Sequence, residues 1–206
     1  KNILGKVVKN LSGPILRNAI KQAINILAKQ FVFERDIKKA INFSNEKKHD
    51  KYTFSFDMLG EAAVTYEDSD RYYSQYEEAI IKTGKGKNPH KKSISIKLSS
   101  LHPRYERNKL DLLKKELFPK AYKLTELGRE NNVDICFDAE EADRLNLSLF
   151  IFKEIIESKL IDEKYQGFGF AVQAYQKRAF FVLDWLKKYL SEVNKKINIR
   201  LHHIFN

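Results

Sequence analysis

What most constrains this chain is a strict alternation of two periodicities. The runs "YTFSFDML" (52–59), "SISIKLSS" (93–100), "VDICFDA" (133–139), "FGFAVQA" (168–174) and "INIRL" (197–201) each read as a strand. Helical periodicity fills the intervals at Asp68–Ile81, Lys109–Glu130, Glu140–Lys159 and Arg178–Val193. Strand and helix in repeated order demand parallel strands joined by helical crossovers, so the fold class is α/β. Strand starts roughly 30 to 40 residues apart suit either a closed barrel or an open doubly wound sheet.

Polarity separates the two. Each strand carries a polar or charged residue near its C-terminal end: Asp57, Lys97, Asp138, Gln173 and Arg200. Barrels build their sites from the C-terminal ends of several strands, whereas open sheets concentrate the signal in one glycine-rich first turn. The nearest glycines, Gly84 and Gly86, precede a strand, and their lysines lack the Ser or Thr that completes a phosphate loop. The expectation is a (β/α)8 TIM-barrel type. Such a barrel takes about 250 residues and eight strands; the five strands here predict an incomplete one.

Ahead of the first strand, "SGPILRNAIKQAINILAKQFV" places Ser12 to cap a helix and Pro14 in its first turn. Ile15, Ala19, Ala23, Leu27 and Phe31 then fall on one stripe of an amphipathic helix, expected to pack on the domain that follows. A basic amphipathic helix on a membrane surface is the alternative. The predicted division is a helical arm over residues 1–48 and, over 49–206, the N-terminal portion of a barrel that stops after its fifth strand.

Composition excludes several classes. At 206 residues and 43% hydrophobic, the chain can bury a core and is too apolar for disorder. Its net charge of +11 invites a nucleic-acid reading, but the lysines are dispersed beside acids, as in "DLLKKEL", like solvated helix faces. A non-enzymatic basic module binding nucleic acid or membrane therefore stands as the least favoured reading. The lone Cys136 rules out an internal disulfide framework and fits a reducing, cytoplasmic compartment. No run approaches the roughly 20 apolar residues of a membrane span, and no secretory signal opens the chain. His49, His90 and His102 are scattered, and the adjacent His202 and His203 would point to opposite faces of a strand, so no metal site is expected.

The residues with chemical potential cluster at strand ends. Lys97, flanked by apolar neighbours, must find an anion or emerge at a barrel mouth. A bound carboxylate or phosphate would satisfy it, and so would a salt bridge to Asp138; the residues alone leave both open. Asp138 is followed by Glu140, Glu141 and Asp143, expected in the first turn of a helix whose dipole would stabilise them. Gln173 offers the donor and acceptor pair suited to the edge of a heterocycle. Lys177 and Arg178 precede a helix start, where cations are electrostatically unfavourable, and so need a specific reason to be there.

These stretches carry a resemblance. "QFV", "FSFDMLGEA", "SIKLSSLHPRYE", "DAEEADRLNLSL", "GFAVQAYQKRA" and "IRL" closely resemble, in order and spacing, the hallmark blocks of the flavin-dependent proline dehydrogenase domain of bacterial proline utilization A proteins, over about Pro14 to Leu201. The resemblance implies a distorted (β/α)8 barrel holding FAD at its C-terminal strand ends, oxidation of proline to pyrroline-5-carboxylate, and a membrane quinone as electron acceptor at the inner face of the cytoplasmic membrane. It implies that Lys97 faces the proline carboxylate, Asp138 lines the site, Gln173 bonds the flavin pyrimidine edge, Arg200 lies against flavin N5, and Asp57 and Met58 line the pocket. A cation near N5 would stabilise the charge of a reduced flavin.

The chain departs from the family after Arg200. A block resembling "RLVKGAYWD" is expected there, followed later by paired arginines that clamp the substrate carboxylate, whereas this chain reads "RLHHIFN". The expectation is that the strand ends at Leu201, that "HHIFN" is out-of-frame sequence, and that the chain is a truncated, inactive fragment. One half of a split enzyme completed by another chain is the alternative.

Overall fold

The computed structural model describes residues 13–32, 34, 36–58, 62–85 and 92–202. Contacts divide the chain into two units, 1–40 and 41–206. The first contains helix α1, Gly13–Phe31, formed where the apolar stripe predicts it; the proposed cap Ser12 lies outside the described residues. Helix α2, Ile37–Ser44, follows.

The second unit holds the alternation: β1 Ser55–Asp57, α3 Tyr66–Gly84, β2 Ser93–Ile96, α4 Leu110–Glu130, β3 Asp134–Phe137, α5 Leu145–Glu157, β4 Phe168–Gln173, α6 Ala179–Glu192 and β5 Asn198–His202. All five strands are parallel and pair in sequence order, β1-β2-β3-β4-β5. The five predicted strands are thus present, with cores shorter than the apolar runs that announce them. The fifth runs one residue further than expected, through His202, whose carbonyl accepts from Ala174 N–H at 2.9 Å.

Local chemistry fixes the joints. Helix α3 starts in a capping box: Thr65 Oγ1 accepts from Asp68 N–H, and the Asp68 carboxylate accepts from Thr65 N–H. Helices α4 and α6 end alike, with Asn132 (φ 54°) and Asn194 (φ 50°) in the left-handed region that asparagine tolerates. Val133 N–H donates to Gly128 O at 2.8 Å, and Lys195 N–H to Leu190 O at 3.0 Å, closing a Schellman motif at each end. Each chain reversal thus feeds directly into β3 or β5.

The pleat sorts side chains onto two faces. Ile94, Ile96, Ile135, Phe137, Phe168 and Phe170 face the helices and are at most 1% exposed. Phe152 of α5 stacks on Phe168 (centroids 5.4 Å) and meets Phe170 edge-on (5.2 Å), while Phe137 meets Phe168 edge-on (4.9 Å). Gly128 of α4 lies so close to the sheet that a Cβ there would sit 2.4 Å from Ile135 Cγ1. The other face carries Ser55, Asp57, Ser95, Lys97, Cys136, Asp138, Gly169, Ala171, Gln173, Arg200 and His202. Cys136 stands buried on this face, and burial pushes its thiol up to about 11.

Arg200 reports the sheet's curvature. From β5 it donates to Ser95 Oγ on β2 at 2.5 Å and to Ser55 Oγ on β1. A flat sheet would separate β1 from β5 by about 19 Å, far beyond an arginine's reach. The polar face is therefore concave, as in part of a barrel wall.

Candidate active site

At the C-terminal ends of the first three strands the concave face gathers one cation and two anions. Lys97 Nζ lies 3.0 and 3.2 Å from the two carboxylate oxygens of Asp57 and 3.3 Å from Asp138 Oδ2. Asp138 is 5% exposed overall, whereas the Asp57 side chain is 42% exposed and opens the cluster to solvent. Burial alone would push the Lys97 ammonium down; the hydrogen bond and charge of Asp57, with the charge of Asp138, outweigh it and hold Lys97 above the usual lysine value. Of the two sequence readings of Lys97, the structure shows the strand-end salt bridge, made to Asp57 as well as to Asp138.

Two other predicted site residues, Arg200 and Gln173, lie on the same face but not in that cluster. Arg200 lies over Ser55 and Ser95. Gln173 ends β4, and its Oε1 accepts from Gln176 Nε2. Met58 follows Asp57 and is half-buried. Between Gly169, Cys136, Asn198 and Arg200 the concave face encloses a groove of about 300 Å³.

Three features correct the sequence reading. Helix α5 begins at Leu145, so Glu140, Glu141 and Asp143 do not occupy its first turn. They sit in the preceding loop, where Glu140 Oε1 accepts from Ser99 N–H at 3.1 Å and Arg144 Nη1 pairs with Glu141 at 3.2 Å. Burial, opposed by the hydrogen bond from Ser99, holds Glu140 above the usual carboxylate range. Arg178, the cation at an unfavourable helix start, is explained by its partner: it donates to the carbonyl of Ala142 and ties the loop after β4 to the loop after β3. His202, set aside as foreign sequence, pairs in register with Gln173 and places Nε2 3.6 Å from Asp138 Oδ1.

Sequence reasoning also missed the scaffold of Lys97. Lys97 N–H donates to Tyr76 Oη at 3.1 Å, and Ser100 Oγ donates to Lys97 O at 2.6 Å. The only signal for Tyr76 was a phenol on the buried stripe of α3, a position that requires a polar partner.

A parallel α/β wall with a polar concave face, and with charged side chains converging at its C-terminal strand ends, defines part of a barrel-type α/β domain. Comparison narrows the class. The family described as "Proline dehydrogenase" matches residues 40–202. The chain is 37% identical over 203 residues to the "Bifunctional protein PutA" of Klebsiella aerogenes and 36% identical to that of Escherichia coli K12, covering 96% of this chain and 15% of each relative. Among solved structures, proline utilization A from Bradyrhizobium japonicum superposes with a TM-score of 0.77 at 36% identity, over 96% of this chain and 20% of that one. The Bdellovibrio bacteriovorus protein, inactivated by N-propargylglycine, shares the fold with a TM-score of 0.81 at 24% identity, over 91% and 21%. The chain belongs to the proline dehydrogenase family, and spans less than a sixth of the curated relatives it matches.

Proposed function

We propose that these residues form the first five strands of a flavin-dependent proline dehydrogenase barrel, acting in the cytoplasm at the membrane face and passing electrons to a quinone. The observation that carries this is Lys97 held between Asp57 and Asp138 at the strand ends. Cation and carboxylates side by side complement a zwitterion: Lys97 receives the carboxylate of proline, and the aspartates face its secondary ammonium.

The concave face suits a flavin. Gly169 and Ala171 leave the wall of β4 without bulk, Gln173 offers an amide edge, and Arg200 brings a cation hydrogen-bonded to the neutral hydroxyls of Ser55 and Ser95. Gln173 and Arg200 would hold FAD, with Asp57 and Met58 lining the pocket beside it. Bound FAD would supply the hydride acceptor for oxidation of proline to pyrroline-5-carboxylate. The chain's own part is to orient proline through Lys97, to offer carboxylate at Asp138 near the substrate nitrogen as it loses its proton, and to place the positive charge of Arg200 where negative charge develops.

Turnover requires more of the barrel than five strands, so the 206-residue chain by itself is expected to be inactive, and a segment bearing the remaining strands, added in trans, is expected to complete it. The test is to add FAD to the chain, with and without that segment from a relative, and to look for a protein-bound flavin spectrum that bleaches with proline. Bleaching in the completed barrel supports the proposal. A flavin that binds there and resists proline contradicts it, and bleaching by the chain alone overturns the expectation of inactivity.

A further inference from the structure

We propose that Tyr76 is the positioning residue for Lys97: through the main chain of Lys97 it fixes where the ammonium stands between Asp57 and Asp138. Strand β1 pairs with β2 only as far as Asp57 opposite Ser95, so the N–H of Lys97 has no ladder partner on that side. Tyr76 Oη, reaching from α3, takes that N–H at 3.1 Å. Ser100, on the turn just beyond, donates through Oγ to the Lys97 carbonyl at 2.6 Å and lies 3.4 Å from Tyr76 Oη. Both main-chain groups of Lys97 are thus clamped as the strand gives way to a tight turn over Leu98–Leu101.

The clamp is sealed: Tyr76 is 3% and Ser100 1% exposed, so water cannot replace either partner. Removing the phenol oxygen strands a buried N–H, and the backbone relieves this only by moving Lys97. The side chain is the sensitive end. Its hydrogen bonds to the two Asp57 oxygens leave little slack, and a displacement of about 1 Å exchanges a charge-assisted contact for a solvated one. Tyr76 touches none of the groups assigned to substrate except through this peptide unit.

The consequence for substrate rests on the proline dehydrogenase reading; the effect on Lys97 does not, and the experiment reads the second. The lysines are labelled biosynthetically with 13C and 15N, the Lys97 Cε signal is assigned with Lys97→Arg, and its titration is followed by NMR in the full chain. Tyr76→Phe, folded by circular dichroism, is expected to shift the Lys97 midpoint downward, toward that of exposed lysines, because the Asp57 and Asp138 contacts that hold it high are loosened. Tyr73→Phe, on the same helix, is expected to leave it unchanged. A folded Tyr76→Phe whose Lys97 midpoint does not move overturns the proposal. Should Tyr76→Phe fail to fold, Ser100→Ala removes the hydroxyl bond to the Lys97 carbonyl and the contact with Tyr76 Oη while the Ser100 N–H still donates to that carbonyl at 3.1 Å, so a smaller downward shift is expected, and a midpoint that does not move overturns the proposal. A barrel completed in trans that binds flavin and leaves it oxidised by proline would refute the enzymatic reading and leave this shift intact.

Discussion

The two faces of the sheet are made from alternate residues of the same strands, yet follow opposite rules. On the helix side, Ile94, Ile96, Ile135, Phe137, Phe168 and Phe170 are closed off from water, and the phenylalanines pack ring on ring with Phe152. On the concave side, Lys97 meets Asp57 and Asp138, and Arg200 meets Ser95, through charge and hydrogen bonds. The first face contributes stability that varies little with pH; the second spends stability to keep ionised groups near a site. The difference teaches that a period of two residues is enough to divide folding from chemistry along one strand.

Substitutions on each face should separate these roles. The largest effect is expected from Phe152→Ala, which empties the centre of the aromatic cluster over β4 and should cost about 3–5 kcal/mol. Thermal unfolding should show the same loss at pH 5 and pH 8, since no titrating group is involved.

Lys97→Met should cost nearly as much at neutral pH, about 3 kcal/mol, but for a different reason: it leaves the Asp57 and Asp138 carboxylates facing each other with no cation between. The repulsion between the two unpaired carboxylates is relieved in acid, so the variant's deficit should be larger at pH 7 than at pH 4. In the parent chain Lys97 itself is raised, so its contribution is complete below the unfolded lysine value of about 10.4 and disappears as pH passes the folded one. A Lys97→Met deficit equal at pH 4 and pH 7 would break the contrast between the faces.

Gly128→Ala should cost about 1–3 kcal/mol, because a Cβ 2.4 Å from Ile135 Cγ1 forces α4 away from the sheet. Chemical denaturation reads it directly. The smallest effect should have the opposite sign. Glu140 is held above the usual carboxylate range chiefly by burial, so the folded state binds its proton more tightly and loses stability as pH rises above about 4.3. Glu140→Gln keeps an oxygen for Ser99 N–H and removes that loss, so it should melt slightly higher than the parent at pH 7 and equal to it below pH 4.

The fold was legible because it is written in local periodicity: every predicted strand formed, and the strand-end positions of Asp57, Lys97, Asp138 and Gln173 followed from where the apolar runs stop. What escaped depends on contacts far apart in sequence. No local pattern says that Arg200 reaches Ser55, that Glu140 leaves its helix to accept from Ser99, or that Tyr76 holds the peptide unit of Lys97. His202 was lost for another reason. It lies one residue past the expected end of its strand, and pairing through that residue carries it to within 3.6 Å of Asp138.

The central claim, that the charged strand ends of the concave face receive proline beside a flavin, is tested most directly by flavin reduction in the barrel completed in trans, comparing the parent chain with Lys97→Met. The account predicts that proline bleaches the flavin of the parent, and that Lys97→Met retains the bound-flavin spectrum while bleaching about 10- to 100-fold more slowly, the loss expected for a charge-assisted hydrogen bond worth about 1.5–3 kcal/mol. Equal rates in the two proteins, or a bound flavin in the parent that proline leaves oxidised, would contradict it.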